Sequence, residues 1–321
     1  MRGDTDVVEG AIVGAMCGDA AGATLEFTEG PVPAARVQRA LDMVGGGPWQ
    51  TAPGQVTDDG EMALSLMHAL AGRDEFSVEA VAERYFDWFN SGPFDIGRTT
   101  TNGLSGARGR EHGMLHQGMW EAAQSLNRES KANGALMRIA PLGAWSWRVE
   151  ESEVVAAACD DAQLTHPNPV CQHASAVYCV AIRHLVLRLA DAAGAFEIGR
   201  SIAEELADTE VLGWLDDAWS GADVGYSPHP GYVKYGFTHA FCHLARSTPY
   251  EEAIRETLSG GGDTDTNACI VGGLIGALHG IDGIPPRMAD AVYSCDVNVG
   301  QRRPAYLQTR EILGDLIARI V

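Results

Sequence analysis

The chain contains 321 residues, of which 45% are hydrophobic and 21% charged, a balance typical of a soluble globular protein with a large core. The formal net charge is −20, so we expect no nucleic acid partner, because such a partner needs basic clusters. The seven cysteines are an odd number without a CxxC pair, which predicts reduced cysteines in a cytoplasmic protein.

The sequence shows no sign of membrane insertion. Acidic residues occupy the N-terminal positions where a signal peptide would have an apolar run. The longest apolar stretch, residues 268–278, is too short to cross a bilayer. We therefore expect a protein with no membrane partner, and a monomer.

Apolar residues recur with helical spacing along most of the chain. This spacing predicts helices at residues 7–23, 58–71, 77–90, 97–108, 133–147, 151–164, 169–190, 195–207, 232–245, 250–258, 265–280, 285–293 and 306–320. Residues 91–97 and 220–231 are predicted loops rich in glycine and proline, and residues 109–130, which lack a clear period, are predicted to be mobile. Without strong alternating runs, strands are few. The sequence therefore predicts one all-α domain over residues 1–321.

Two of the predicted helices carry glycine at every fourth position. The first has glycines at 10, 14, 18 and 22, and the late helix has them at 272, 276 and 280. Because glycine lowers helix propensity, a compensating contact is needed, and close backbone packing is the contact we expect. We predict that these two helices cross closely, at the acidic residues described next.

Two acidic segments, each opening a predicted helix, are candidates for a metal site. Residues 260–266 read GGGDTDT, and Thr57, Asp58 and Asp59 lie some two hundred positions upstream. Hard oxygen ligands of this kind suit magnesium, manganese or calcium better than zinc. Asp and Thr also cap helices, and one such segment alone favours a cap. Two matching segments favour a pair of divalent cations.

Other motif interpretations of these residues fit less well. An EF-hand loop beginning at Asp263 would need glycine where Ala268 lies and glutamate where Leu274 lies, and a phosphate-binding loop would need a GK[ST] sequence. His239, Cys242 and His243 share a helix face and could suggest zinc, but an apolar, aromatic neighbourhood favours core or pocket lining. Asp160 and Asp161 are predicted to lie on an exposed helix face.

Three further positions have both a functional and a structural interpretation. Glu26 precedes a turn and could be a surface acid. The segment beginning at Asn133 could bind an anion through its backbone N–H groups or be an ordinary cap. His166 precedes Pro167-Asn168-Pro169, a rigid turn that could orient a ligand or simply shape the chain.

Taken together, these stretches resemble the ADP-ribosylglycohydrolase family, and they occur in the order typical of that family across nearly the whole chain. The matching stretches are GAIVGAMCGDAAGATLEF (10–27), TDDGEMAL (57–64), DIGRTT (95–100), NGALMRIAPLG (133–143), THPNP (165–169) and GGDTDTNACIVGGLIGALHG (261–280). Gly60 departs from the family pattern, in which this position is often threonine.

The resemblance implies a compact, orthogonal multi-helix bundle that binds two divalent cations, Mg²⁺ or Mn²⁺. The residues implied as metal ligands are Thr57, Asp58, Asp59, Asp263, Asp265 and Thr266. Those implied in catalysis are Glu26 and Asp263, and those implied in substrate binding are Asp19, Asp95, Asn133, Gly134, Ala135 and His166. In arginine-specific members the residue matching Asp95 faces the substrate guanidinium, and that pairing is chemically sound.

The implied activity is metal-dependent removal of ADP-ribose from a modified protein, with the N-glycosidic bond to arginine as the favoured linkage. One alternative is a different linkage, namely serine, an ester or a nucleic acid. Another is an immunity protein that neutralises a cognate ADP-ribosyltransferase by binding as well as hydrolysis. Residues 109–130 and 220–231 fit no family pattern and could select the substrate.

Overall fold

Helices provide the regular secondary structure of the computed structural model, which describes residues 4–321; pairing between extended segments there is confined to isolated bridges. The α-helices are, in chain order, α1 (Thr5–Gly22), α2 (Ala34–Leu41), α3 (Asp58–Leu70), α4 (Val78–Asn90), α5 (Arg98–Leu104), α6 (Leu115–Leu126), α7 (Ala140–Trp145), α8 (Glu151–Gln163), α9 (Pro169–Leu187), α10 (Ala192–Glu205), α11 (Thr209–Ser220), α12 (Val233–Arg246), α13 (Tyr250–Ser259), α14 (Thr264–His279), α15 (Pro286–Tyr293) and α16 (Thr309–Ile320). The predicted all-α fold is confirmed.

The two glycine-striped helices, α1 and α14, pack against each other at backbone distance. A Cβ atom added at Gly14 would lie 2.4 Å from the carbonyl oxygen of Gly272, and one added at Gly18 would lie 2.0 Å from that of Ala268. Real side chains cannot approach so closely, so glycine is the residue that permits this contact. The predicted close packing is confirmed.

The contact between α1 and α14 extends along both helices, however, and is not a crossing at one point. Gly10 faces Gly276, near one end of the pair, and Gly22 faces Asp265, at the other. The helices are therefore antiparallel, and the close contacts recur at every fourth residue of α1. This arrangement places the C-terminal end of α1 beside the first turn of α14.

Residues 109–130, predicted to be mobile, instead contain the well-formed helix α6. The carboxylate of Glu79 on α4 accepts the backbone N–H groups at the start of α6, those of Gly113, Leu115 and His116, at 2.7, 3.1 and 2.9 Å. A carboxylate from another helix thus supplies the cap that the local sequence lacks. Leu115, Met119 and Ala123 form the buried face of α6, at a four-residue spacing that was overlooked.

Several other boundaries differ from the sequence prediction. The helix predicted at residues 133–147 begins only at Ala140. Residues 134–138, which were predicted to be part of this helix, form turns instead. Helices α2 and α11 were not predicted. The loop predicted at residues 220–231 is present, except that Ser220 is the last residue of α11. By length and composition, helix α9 (Pro169–Leu187) could cross a membrane. In this protein, however, 72% of its apolar window is buried inside the fold, as in a core helix.

The α1–α14 contact predicts a large stability loss on adding a methyl group at its tightest point. We expect Gly18→Ala to lower the free energy of unfolding by at least about 2 kcal/mol, because the new methyl group would overlap the backbone of Ala268. Urea denaturation measures the change. Gly213→Ala is the matched control: this glycine lies on α11 with open space around it, so alanine there should be neutral or stabilising. Equal stability of Gly18→Ala and wild type would contradict the packing account.

Candidate functional site

The first acidic segment is held in place from α1. The carboxylate of Asp19 accepts the backbone N–H groups of Thr57 and Gly60 at 3.0 and 2.9 Å, and the hydroxyl of Thr57 at 2.8 Å. Asp19 therefore caps the start of α3. It is fully buried and is not among the residues that line the cleft described below; the substrate-binding role implied by the resemblance stays a prediction.

Gly60, the departure from the family pattern, has a local explanation. A Cβ atom at this position would lie 2.5 Å from the Cβ atom of Val56 and 2.8 Å from a carboxylate oxygen of Asp19. The close approach of Asp19 to the first turn of α3 thus requires glycine in this chain.

The second acidic segment is tied to the chain that leaves α1. Gly261 and Gly262 adopt positive φ angles of 74° and 78°, which glycine tolerates without strain. The N–H of Gly262 donates to the carbonyl of Thr28 at 3.0 Å, and the hydroxyl of Thr264 donates to the carbonyl of Gly22 at 2.8 Å. Residues 22–28 and 260–266 therefore form one continuous wall.

These segments border a cleft of about 140 Å³. Its lining comprises Glu26, Asp58, Asp95, Gly97, Thr100, Asn133, Gly134, Met137, His166, Asp263, Asp265 and Thr266. Of the predicted metal ligands, Asp58, Asp263, Asp265 and Thr266 line the cleft, while Thr57 and Asp59 are fully buried nearby. Of the predicted substrate-binding residues, Asp95, Asn133, Gly134 and His166 line it, and Ala135 is buried in the core beside Gly134.

A larger groove of about 1000 Å³ adjoins the cleft and shares Glu26 and Asp263 with it. Its walls are residues 27–31 and several residues of the 220–231 loop, including Tyr226. The same loop is attached to the cleft, because the carbonyl of Gly231 accepts the N–H of Asn133 at 3.0 Å. The structure thus brings the 220–231 segment to the site, whereas α6 lines neither cavity.

Three carboxyl groups meet at the centre of the cleft. One oxygen each from Glu26, Asp95 and Asp265 lies within 4.8 Å of the others, although the residues come from three separate parts of the chain. Burial first, and repulsion from Asp95 second, raise the pKa of Glu26 to about 8. Burial and repulsion from Asp263 raise the pKa of Asp95 to about 6. The described residues that line the cleft include no lysine or arginine to balance these acids.

The surrounding acids show the same effect more strongly. Burial, followed by repulsion from neighbouring carboxylates, raises the pKa values of Asp58, Asp59 and Asp265 well above their usual range. One oxygen of Asp59 is buried without a hydrogen-bond partner among the described residues. Its other oxygen lies 3.1 Å from the Thr57 hydroxyl, whose single hydrogen is shared with the closer carboxylate of Asp19. Buried polar atoms are normally paired, so the unpartnered oxygen is an exception that needs an explanation.

The loop that carries Asp95 is held by an ion pair between distant parts of the chain. Arg303 donates to both carboxylate oxygens of Glu61 on α3, at 2.6 and 2.8 Å. The same guanidinium donates to the Ser91 hydroxyl at 2.7 Å and to the Gly92 carbonyl at 3.0 Å. These bonds fix the loop after α4, and that loop carries Asp95 to the cleft.

His166 is positioned by a buried network around Arg138. The Arg138 guanidinium, paired with Asp161 at 2.9 Å, donates to the Thr165 hydroxyl at 2.8 Å, and that hydroxyl contacts Nδ1 of His166 at 2.8 Å. The hydroxyl hydrogen has no other acceptor among these bonds, so it donates to Nδ1 and leaves the hydrogen of the neutral ring on Nε2. Burial and the nearby Arg138 lower the pKa of His166 to about 3, so the ring is neutral.

The same network corrects one prediction. Asp161, expected on an exposed helix face, is fully buried. It accepts both from Arg138 and, at 2.7 Å, from the hydroxyl of Tyr85. A buried arginine in the segment 133–143 needs such a partner, and that requirement is the signal that could have predicted a buried acid.

Sequence reasoning overlooked Trp49, whose indole N–H donates to the carboxylate of Glu26. The available signal was the run Gly45-Gly46-Gly47-Pro48 before it, which is typical of a tight turn that presents one side chain. The zinc alternative finds no support in the described part of the chain. There, His239 stacks on Tyr226. The cluster of side chains that could hold a metal ion is instead the acidic group of Glu26, Asp95 and Asp265.

Comparisons with known proteins agree with this arrangement. The family model for ADP-ribosylglycohydrolase matches residues 3–318. The chain is 29% identical to the ADP-ribosyl-[dinitrogen reductase] glycohydrolase of Rhodospirillum rubrum, over 86% of each chain. It is 28% identical to the ADP-ribosylarginine hydrolase Tri1 of Pseudomonas putida (strain GB-1), over 89% of this chain and 74% of that protein.

One solved structure extends the similarity to the whole fold. It is described as an ADP-ribosylglycohydrolase-related protein complex and aligns with a TM-score of 0.72 and 25% sequence identity, over 98% of this chain and 97% of that one. The family model spans nearly every residue, and the cleft gathers residues from all six matching stretches or their immediate contacts. The chain therefore belongs to the ADP-ribosylglycohydrolase family of enzymes.

Proposed function

We propose that this glycohydrolase cleaves the N-glycosidic bond between ADP-ribose and an arginine side chain of a modified protein, with two divalent cations in the cleft. The observation that carries the proposal is the position of Asp95. Its carboxylate lines the cleft within 4.8 Å of Glu26 and Asp265, where it could pair with a guanidinium at the scissile bond. Two relatives, 28% and 27% identical to this chain, bear names that specify ADP-ribosylarginine hydrolase activity, which supports the same linkage.

The donor chemistry of the cleft fits Mg²⁺ or Mn²⁺. Its acidic residues offer only hard oxygen atoms, and the described cleft lining contains no lysine or arginine to balance them. The unpartnered, buried oxygen of Asp59 is a further sign of a missing positive ligand. The residues that would hold the cations are Thr57, Asp58, Asp59, Asp263, Asp265 and Thr266. Bound cations of this class supply Lewis-acid activation of water and orientation of hydroxyl groups.

The rest of the cleft is suited to the ADP-ribosyl group. Within residues 4–321 the backbone N–H groups of Gly134 and Ala135 have no acceptor, and Gly134 lines the cleft, so these groups could bind an anion such as pyrophosphate. The Nε2 hydrogen of neutral His166 is a further donor at the same wall. Ligands of this size usually occupy about 300–1,000 Å³, so the ADP-ribosyl group extends from the cleft beyond its own 140 Å³.

Glu26 is the group best placed to move protons. Hydrolysis removes a proton from the attacking water and delivers one to the departing nitrogen, and a carboxyl group can do both in turn. Glu26 is half-buried at the junction of the cleft and the larger groove, next to Asp265. Asp263 shares this junction and accepts the side-chain amide of Asn133 at 2.8 Å, so it joins the proposed cation site to the substrate wall.

Loss of one proposed cation ligand should nearly abolish turnover. We expect Asp263→Asn to reduce kcat by more than about 100-fold, because several kcal/mol of transition-state stabilisation depend on the cations. Release of ADP-ribose from a mono-ADP-ribosylated arginine peptide in Mn²⁺ measures the effect. Asp216→Asn, at an exposed acid on α11, is the matched control and should retain activity. Full wild-type activity in excess EDTA would refute the metal requirement.

Asp95 should contribute specifically to the arginine linkage. We expect Asp95→Ala to lower kcat/KM for ADP-ribosyl-arginine by roughly 10- to 100-fold, through loss of a charge-assisted pair with the guanidinium. Free ADP-ribose lacks that group, so its binding affinity, measured by calorimetry, should change little. Parallel assays on ADP-ribosyl-serine and ADP-ribosyl-glutamate peptides test the alternative linkages. An Asp95→Ala variant that retains arginine-linkage activity would contradict the specificity assigned here.

A further inference from the structure

We propose that Trp49 is a positioning residue for the reaction and acts by holding the carboxylate of Glu26 at the cleft. The inference rests on the proposed function, because it assigns Trp49 a role that operates only through Glu26. We call residues 45–51 the glycine tab, since this short turn carries Trp49 to the site.

The glycine tab is a sharply turned segment built on left-handed backbone. Gly45, Gly46 and Gly47 have φ angles of 69°, 99° and 69°, which other residues adopt only with strain. The tab closes on itself through two backbone hydrogen bonds between Gly46 and Thr51, at 2.8 and 3.0 Å. These two bonds hold the turn through backbone atoms and do not involve the tryptophan ring.

The glycine tab is anchored on two sides. A Cβ atom at Gly47 would lie 2.6 Å from the carbonyl oxygen of Ala23, so the tab packs directly against the chain that leaves α1. On the other side, the side-chain amide of Gln301 donates to the carbonyl of Trp49 at 2.5 Å, and buried Gln55 exchanges hydrogen bonds with the Gln301 backbone at 2.5 and 2.9 Å. These anchors fix where the ring of Trp49 lies.

The ring of Trp49 lies between two aromatic residues, each next in sequence to an acid that lines the cleft. Its N–H donates to Glu26, and its faces and edges contact Phe27, with centroids 6.0 Å apart, and Phe94, at 6.1 Å. Phe27 follows Glu26 in the chain, and Phe94 precedes Asp95. A row of three aromatic rings thus borders the carboxyl cluster from Glu26 to Asp95.

This aromatic row does not serve the core. None of the three rings belongs to, or packs against, the hydrophobic core formed by the described residues. Phe27 is 67% exposed and has a positive φ angle of 62°, an unfavourable combination for a residue with only a packing role. Their shared feature is proximity to the cleft acids, which favours a functional interpretation of the row.

The physical need for such a donor follows from the charge at the cleft. Glu26 has three rotatable side-chain bonds and two acidic neighbours within 4.8 Å, so repulsion and side-chain entropy both favour rotation toward the open groove. An N–H donor fixed on one oxygen opposes that rotation and does not itself occupy the other oxygen, through which Glu26 could exchange a proton. Restricting a reacting group in this way speeds the reaction without adding affinity for the substrate.

The test is a double-mutant cycle of Trp49→Phe and Glu26→Ala, assayed on whichever ADP-ribosyl linkage the wild-type enzyme cleaves. Trp49→Phe keeps an aromatic ring but removes the N–H donor. We expect kcat to fall about tenfold with KM and ADP-ribose affinity unchanged within about twofold, as for a lost charge-assisted hydrogen bond. In the Glu26→Ala background, Trp49→Phe should have no further effect. Trp219→Phe, at an exposed tryptophan on α11, is the matched control and should behave as wild type.

A second cycle uses the glycine tab and avoids the weak activity of Glu26→Ala. Gly47→Ala should displace the tab from the chain after α1 and lower kcat as Trp49→Phe does, and the two changes together should cost no more than one. Wild-type kcat in Trp49→Phe, or additive losses in either cycle, would overturn the role of Trp49 and leave the proposed function intact. Wild-type kcat in Glu26→Ala would instead remove Glu26 from the proposed function, and the role of Trp49 with it.

Discussion

The antiparallel contact between α1 and α14 is the constraint on which the site depends. Glycines at every fourth position let the two backbones touch. This contact places the C-terminal end of α1 directly beside the first turn of α14. That position brings Glu26, just beyond α1, to Asp265, in the first turn of α14. It also lets Asp19 reach across and cap α3, which sets the place of Asp58 and Asp59. One backbone contact thus aligns three segments that are far apart in sequence.

The described lining of the cleft contains no lysine or arginine that could offset the electrostatic cost of its acids. Elsewhere the chain pairs its buried acids: Asp161 binds Arg138, and Glu61 binds Arg303. At the cleft the pKa values of the carboxyl groups rise, first because these groups are buried and second because they repel one another. The buried acids of the supporting networks thus have arginine partners, whereas the acids that line the cleft have no basic partner in that lining. This contrast favours a cationic ligand in the cleft.

The sequence predicted those parts of the structure that depend on local pattern or on motifs. Helical spacing located most helices, and the two acidic segments and the glycine stripes indicated which elements would meet. Features created by contacts from elsewhere in the chain were missed. The start of α6 depends on a carboxylate from α4, and the burial of Asp161 depends on Arg138, twenty-three positions before it. Trp49 reaches Glu26 only because the glycine tab is anchored at Ala23 and Gln301.

We propose that the acidic cleft binds two divalent cations that are used in ADP-ribosyl hydrolysis. The most direct test is to count Mn²⁺ ions bound per chain by equilibrium dialysis with electron paramagnetic resonance detection, in wild type and in Asp263→Asn. We expect two bound ions in the wild type, fewer in the variant, and a thermal stability that rises with Mn²⁺ only where the ions bind. A wild-type protein that binds no Mn²⁺ and still hydrolyses its substrate would contradict the account.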